Sequence, residues 1–441
     1  MVEKKEAEIS QPKNSNRIEC EKQEEIDKIL INLPSDVLNS ILLRLPIWDI
    51  MKTTVLSKDW RYKWATISEF VFDSAYIQYR CKSTEAVTWD NIKNLVNRFL
   101  LNHSDALIEK FKLTAHINPN NSDLCQWLHF LSKNGVKEFL LDNLNYLGGP
   151  FELPSSLYSF EKLSSLELKN FTIKLPLAFE GFKFLASLHL TFISIDDDTL
   201  ENLISSCPIL QRLTLYDICG LSHLRIHGPN LKYLKVHYSK FENVSFENSA
   251  QLRTIDIWLM FSENISNLLS ALGRASGLES LSLHGHFLLP LEIPHPVEER
   301  LHHVTELHTH CVNFKRLHVV EGFLSLLCRF PNLEEFHFSV ENTNDHNYIV
   351  EFVEDQSASY ISFQQLQAVT MGYYIHMAAG LEFLKVLLPR APMLEKVTII
   401  RSVENNIPEK ELGKIFGRLK QVSPGIKFIY QSRGMPISYI F

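Results

Sequence analysis

The side chains best able to hold a metal ion or move a proton crowd into one segment, LHHVTELHTHC, where His302, His303, His308, His310 and Cys311 fall within ten residues. Side chains alternate along a strand, so His308 and His310 share one face, and His337 can neighbour His308 on the following strand. Imidazoles gathered in that way suit zinc. No recognised zinc-ligand spacing accompanies them, so solvated strand histidines are the expectation and no metal is assigned. The seven cysteines (Cys20, Cys81, Cys125, Cys207, Cys219, Cys311 and Cys328) are scattered and form no CxxC pair. Reduced thiols packed as small hydrophobes fit that pattern better than a disulfide framework. The GxSxG, HExxH, GxxxxGK and GxGxxG patterns are all absent, and Gly is sparse at 16 of 441 residues. No hydrolase elbow, zincin helix or nucleotide loop can be argued, and no catalytic residue or cofactor is expected.

The elements that carry these histidines follow a leucine schedule. Of 64 leucines, 53 lie in residues 101–400, well above an ordinary share. An LxxLxL unit, apolar substitutions allowed, recurs at Ile108/Phe111/Leu113, Val136/Phe139/Leu141, Leu163/Leu166/Leu168, Leu185/Leu188/Leu190, Leu210/Leu213/Leu215 and Leu231/Leu234/Val236. It continues at Leu252/Ile255/Ile257, Leu278/Leu281/Leu283, Val304/Leu307/Thr309, Leu333/Phe336/Phe338, Leu366/Val369/Met371 and Leu394/Val397/Ile399. Successive starts are 21 to 33 residues apart, mostly the leucine-rich-repeat period of roughly 20 to 29. Proline lies in phase just before several units, in Cys207-Pro208-Ile209-Leu210, Gly228-Pro229-Asn230-Leu231, Phe330-Pro331-Asn332-Leu333 and Ala391-Pro392-Met393-Leu394. It ends each preceding segment and pushes the chain toward extended geometry. The fold class predicted is α/β, a curved parallel sheet of about 12 repeats.

In such strands the leucines point into the core and the intervening positions face the concave surface. Tyr216, Tyr233, His237, Trp258, His284, His308 and His337 then form an aromatic and imidazole zone. Trp and Tyr are enriched at binding hot spots, which makes Trp258 the first candidate anchor. Basic concave positions are few (Lys169, Arg212, Lys235 and Lys396), which argues against a pocket for a highly phosphorylated cofactor.

Composition narrows the partners. Forty-four basic and 51 acidic residues give a net charge of −7, so there is no electrostatic footprint for nucleic acid. The most apolar stretch, from Met377, is interrupted by Glu382, Lys385 and Arg390, so no membrane span is expected. The N-terminal MVEKKEAEISQPKNSNRIECEKQEE has no apolar signal core. A soluble, intracellular protein of the nucleus or cytoplasm is expected.

Ahead of the repeats, PSDVLNSILLRLP places Val37, Leu38, Ile41, Leu42 and Leu45 at helical spacing, with Pro46 as the stop. A second short helix is predicted from Asp49, and a third after Ser57 carries Trp60, Trp64 and Ile67. Such a module has more apolar surface than about 40 residues can bury, which marks an interaction surface or a cap on the end of the solenoid. A further helix is predicted over VTWDNIKNLVNRFLLN.

LPSDVLNSILLRLPIWDIMKTTVLSKDWRYKWATISEFVFD resembles the F-box of the large plant F-box/LRR family. The match is carried by Asp27, Ile29, Leu33, Pro34, Leu38, Ile41, Leu42, Leu45, Pro46, Asp49, Thr53, Val55, Leu56, Ser57, Lys58, Trp60, Arg61 and Trp64. It departs at Asp59, usually basic, and at Met51-Lys52. Phe363, Leu366, Leu384, Leu388, Ala391, Pro392, Leu394 and Ser423-Pro424 resemble the FBD region that closes many of these proteins. The resemblance implies a tail over 1–27, a three-helix F-box over 28–70, a helical linker and cap over 71–105, a solenoid over 106–354, an FBD region continuing it over 355–431, and a tail over 432–441. It further implies a non-catalytic substrate-recognition subunit of a cullin-based SCF-type ubiquitin ligase. The F-box would bind a Skp-type adaptor through Leu33, Pro34, Val37, Leu38, Ile41, Leu42, Leu45, Pro46, Val55, Leu56 and Trp60, and the LRR/FBD region would bind a target protein. An LRR scaffold independent of any ligase is the alternative.

Overall fold

The computed structural model describes residues 34–42, 44–47, 49–50, 67–81, 87–101, 103, 107–118, 122–259, 265–284, 300–314, 317–340, 362–373, 378–401, 409–432 and 438–440. The chain divides into two compact units, Met1–Leu144 and Asn145–Phe441.

In the first unit, Pro34 precedes helix α1 (Ser35–Leu42). The amides of Arg44 and Leu45 close its end on the carbonyls of Ile41 and Leu42. The next helical turn begins one residue after Pro46, whose carbonyl accepts from the amides of Asp49 and Ile50. Helical backbone therefore starts at Ile47 rather than at the expected Asp49 cap, because a proline ahead of the first turn removes a donor that the turn does not need. The expected third helix lies outside the described residues, and so do Leu33, Val55, Leu56 and Trp60.

Strand β1 (Glu69–Asp73) follows, then α2 (Ser74–Cys81), α3 (Trp89–Leu101), β2 (Lys110–Ala115), α4 (Ser122–Lys133) and β3 (Glu138–Asn143). β1 lies across the boundary expected at residue 70, so residues 71–73 are strand instead of helical linker. The reason is period-two burial of Phe70 and Phe72, which pair with Phe111 and Leu113 of β2 in a parallel register. Phe99 of α3 meets both rings edge-on at 5.8 and 5.7 Å. α3 buries Ile92, Leu95, Val96, Phe99 and Leu100 along one apolar face. Thr88 and Asn91 cap it reciprocally.

The second unit stacks the remaining units of the schedule. Its main strands are β4 (Ser165–Lys169), β5 (Ser187–Thr191), β6 (Arg212–Tyr216), β7 (Tyr233–Ser239), β8 (Thr254–Leu259), β9 (Ser280–His284), β10 (Glu306–Val312), β11 (Glu335–Val340), β12 (Ala368–Tyr373), β13 (Lys396–Arg401), β14 (Lys427–Ser432) and β15 (Ser438–Ile440). β4 to β14 pair in sequence order and in parallel. β15 is antiparallel to β14, so residues 438–440 are sheet edge where a tail was expected. Helices α5 (Asp197–Ser205), α6 (Ile265–Arg274), α7 (Leu317–Leu327), α8 (Ala378–Leu387) and α9 (Glu409–Val422) lie between strands. All twelve predicted repeat triads enter strands of the two units, and their inward leucines, such as Leu213, Leu234 and Leu281, are fully buried.

The phased prolines form tight turns ahead of the strands. The amides of Leu210, Leu231, Leu333 and Leu394 reach back to the carbonyls of Cys207, Gly228, Phe330 and Ala391 at 3.1, 3.1, 3.3 and 3.2 Å. Proline therefore stands second in each four-residue turn, where its fixed φ fits. Asn230 and Asn332 then donate to the carbonyls of Pro208 and His302, both at 2.8 Å, tying each turn to the one before. Cys207 is a packed hydrophobe whose thiol burial pushes up to about 11. No described helix is long and apolar enough to cross a membrane.

Candidate binding surfaces

In-register parallel pairing lines up the outward positions of successive strands into rows. The last outward row of β6 to β10 runs Tyr216, His237, Trp258, His284 and His310, with Tyr216 opposite His237, His237 opposite Trp258 and His284 opposite His310. The row before it includes Asp256, Ser282, His308 and His337. Their rings pack into a ladder. Phe192 meets Tyr216 at 5.9 Å between centroids, Tyr216 meets Tyr238 at 5.0 Å, and Tyr238 meets Trp258 at 4.2 Å. Trp258 stacks on His284 at 4.0 Å and 7°, His284 meets His310 at 4.8 Å, and His308 stacks on His337 at 4.2 Å and 3°. Pairs among Phe, Tyr and Trp are each worth roughly 0.5–1.5 kcal/mol beyond buried area, and the ladder is a preorganised, half-buried surface of aromatic and imidazole rings.

Trp258, His284, His308, His337 and Tyr216 thus share one surface. His237 and Tyr233 differ from expectation. His237 is 8% exposed, with its Nε2 2.9 Å from Asp256 Oδ1, so it supports the ladder from beneath. Tyr233 stands in the leading row opposite Arg212 and Thr254, away from the rings. Burial raises the Asp256 carboxyl, but hydrogen bonding from His237 and the charges of His237 and Lys235 outweigh it and hold the group at about 2.

Tyr238 and Phe192 are ladder residues that alternation misses, Phe192 having φ 53°. β7 shifts register between His237 and Ser239, and Tyr238 has φ 55°. That left-handed residue turns a side chain due to face the core back onto the concave surface. Ser239 holds the bulge, its Oγ accepting from the amide of Ile218 at 3.1 Å. β10 repeats the device at Cys311, with φ 57° and its amide donating to Ser339 Oγ at 3.0 Å. Beside the head of the ladder, a mostly apolar cavity of about 590 Å³ is lined by Tyr146, Pro150, Asn170, Phe192 and Cys219.

The other surface is on the first unit. Val37 and Ile41, one helical turn apart on α1, are 44% and 40% exposed, and Leu45 is also exposed. With exposed Pro34 they form an apolar stripe left part-open to solvent among the described residues. Leu42, assigned to the same docking row, is 1% exposed and so is turned inward, and Ile47 and Ile50 are likewise buried. Pro46 is half-buried, and the side chain of Leu38 lies outside the described residues.

Residues 30–71, which contain this stripe, match the F-box domain family, and residues 124–338 match the LRR-repeat family of FBD-associated F-box protein At5g56370. The chain is 30% identical over 413 residues to F-box/FBD/LRR-repeat protein At1g13570 of Arabidopsis thaliana, an alignment covering 90% of this chain and 97% of that protein. The chain belongs to the F-box/FBD/LRR-repeat family. From the same plant, FBD-associated F-box protein At5g56370 is 31% identical over 48% of this chain and 54% of its own length. F-box/FBD/LRR-repeat protein At3g51530 is 29% identical over 65% and 66%. F-box proteins of this kind are generally non-catalytic substrate receptors of SCF-type ligases, and the F-box generally binds a Skp-type adaptor.

Proposed function

We propose that this F-box/FBD/LRR-repeat chain is the substrate-recognition subunit of a cullin-based SCF-type ubiquitin ligase. The observation that carries this reading is the exposed stripe of Pro34, Val37, Ile41 and Leu45 within the residues that match the F-box. An apolar stripe at i and i+4 spacing is what a helix offers to a partner's groove. The ring ladder of β6 to β11 is the target-binding face, with Trp258 as anchor.

The chain's contribution is then position rather than bond chemistry. Holding a target and a ubiquitin-charged enzyme on one frame converts an encounter between free molecules into a local one of high effective concentration. The test is binding of a purified Skp-type adaptor to the full chain. Val37→Asp with Ile41→Asp should abolish it, because two carboxylates would be buried unpaired at the interface. Unchanged adaptor binding would favour a ligase-independent LRR scaffold.

A further inference from the structure

The pairing of β10 with β11 does more than extend the ladder. It sets His308 opposite His337 and Glu306 opposite Glu335. One carboxylate oxygen, Glu306 Oε1, lies 2.8 Å from Nε2 of His308 and 3.8 Å from Nε2 of His337. The two imidazoles are parallel at 4.2 Å, and one donor atom from each of the three side chains falls within 4.8 Å of the others. All three residues are half-buried. Two imidazoles and a carboxylate are a donor set for a borderline divalent ion.

We propose that Glu306, His308 and His337 form a binding site for one zinc ion. Bonds of about 2.1 Å in a tetrahedron put ligand atoms roughly 3.4 Å apart, and a bound ion lies near the plane of each imidazole that holds it, so the two rings must turn out of their parallel stack to converge on it. To become a ligand, Nε2 of His308 must present its lone pair: a neutral ring then carries its proton on Nδ1, and an imidazolium ring releases one proton to solvent. Burial, with the neighbouring His308 adding to it, lowers the pKa of His337, which favours the neutral ring that metal binding requires. Glu335 Oε2 lies 3.6 Å from His337 Nε2, and its negative charge beside the site favours a divalent cation there.

A second group, His237, Asp256 and His284, also converges, but Lys235 Nζ sits 3.3 Å from Asp256 and already compensates its charge. That difference selects the Glu306 cluster. Three protein ligands leave a position on the concave surface open to water or to a ligating side chain of an occupant. This last step rests on the target-binding reading, whereas zinc binding itself does not.

Chelator-treated full-length protein titrated with zinc alone, followed by calorimetry, tests the site. The expected result is uptake of one equivalent, accompanied by a rise in Tm. His308→Gln with His337→Gln should weaken binding by more than the roughly 10- to 100-fold that loss of an outer partner costs. His237→Gln with His284→Gln should bind zinc like the wild type. Glu306→Gln preserves side-chain shape and should also weaken binding, which decides the matter if the double variant fails to fold. No uptake by the wild type, or unchanged uptake by Glu306→Gln, would overturn the proposal. Adaptor binding is measured separately, so failure here is distinguishable from failure of the ligase reading.

Discussion

The same strand positions are used in opposite ways in the two units. The trailing outward row of β1, β2 and β3 reads Asp73, Thr114 and Asp142. That of β6 to β10 reads Tyr216, His237, Trp258, His284 and His310. Asp73 spends its carboxylate on the amides of Ala75 and Tyr76, capping α2 at 2.9 and 3.1 Å. The leading row of the first unit is closed in the same manner, since Lys110 Nζ stands 3.3 Å from Glu69 and 3.4 Å from Glu138. Asp73 and Lys110 find these partners within their own unit. The rings of the second unit touch one another while remaining part-open to solvent. Leucines set the frame in both places, and the positions they leave unconstrained decide which face can bind.

If the frame is common, it should fail alike in both units. Leu113→Ala and Leu234→Ala, both at fully buried positions, should each cost about 2–5 kcal/mol in chemical denaturation. A large loss at one site and a negligible loss at the other would break the equivalence. The faces should respond differently. Trp258→Ala should weaken target binding by at least about 2 kcal/mol, near 30-fold, and also lower Tm because it removes the ring's contacts with Tyr238 and His284, while Thr114→Ala leaves affinity unchanged. Equal effects in a direct binding assay would remove the distinction.

The two faces also differ in their response to acid. His310 and His337 lie below the ordinary imidazole pKa, burial being the larger cause and nearby His308 the next. A lowered folded pKa means that the unfolded chain takes up protons first. Stability should therefore be full above about pH 6.5 and decline as pH falls below it. A Tm series from pH 7.5 to 5 checks this, and His310→Gln should flatten the slope. Smallest of all, Lys110→Met should change stability by less than about 1 kcal/mol, because the pairs it breaks are solvent-screened.

The repeat frame was legible because a leucine schedule and a proline phase are written in residue identity. β1 escaped because it fills the same inward positions with Phe70 and Phe72, outside the leucine count, and gives only one alternation. Most ladder residues were legible from period two. Tyr238 was not, since a bulge reverses its face and no residue type in the sequence announces it. On α1, helical spacing grouped Leu42 with Val37 and Ile41, yet a short helix has both a core side and an open side. Only burial in the folded chain separates them. Of the Glu306 cluster, the pairing of His308 with His337 was legible from the repeat register, whereas the approach of the Glu306 carboxylate to both rings depended on side-chain geometry that spacing does not reveal.

The central claim is that docking and recognition occupy separate surfaces, α1 in the first unit and the ring ladder in the second. Its most direct test is the affinity of a purified Skp-type adaptor for the wild type, for Val37→Asp with Ile41→Asp, and for Trp258→Ala. The account predicts loss of binding in the α1 double variant and wild-type affinity in Trp258→Ala. Wild-type affinity in the double variant, or loss in Trp258→Ala, would contradict it.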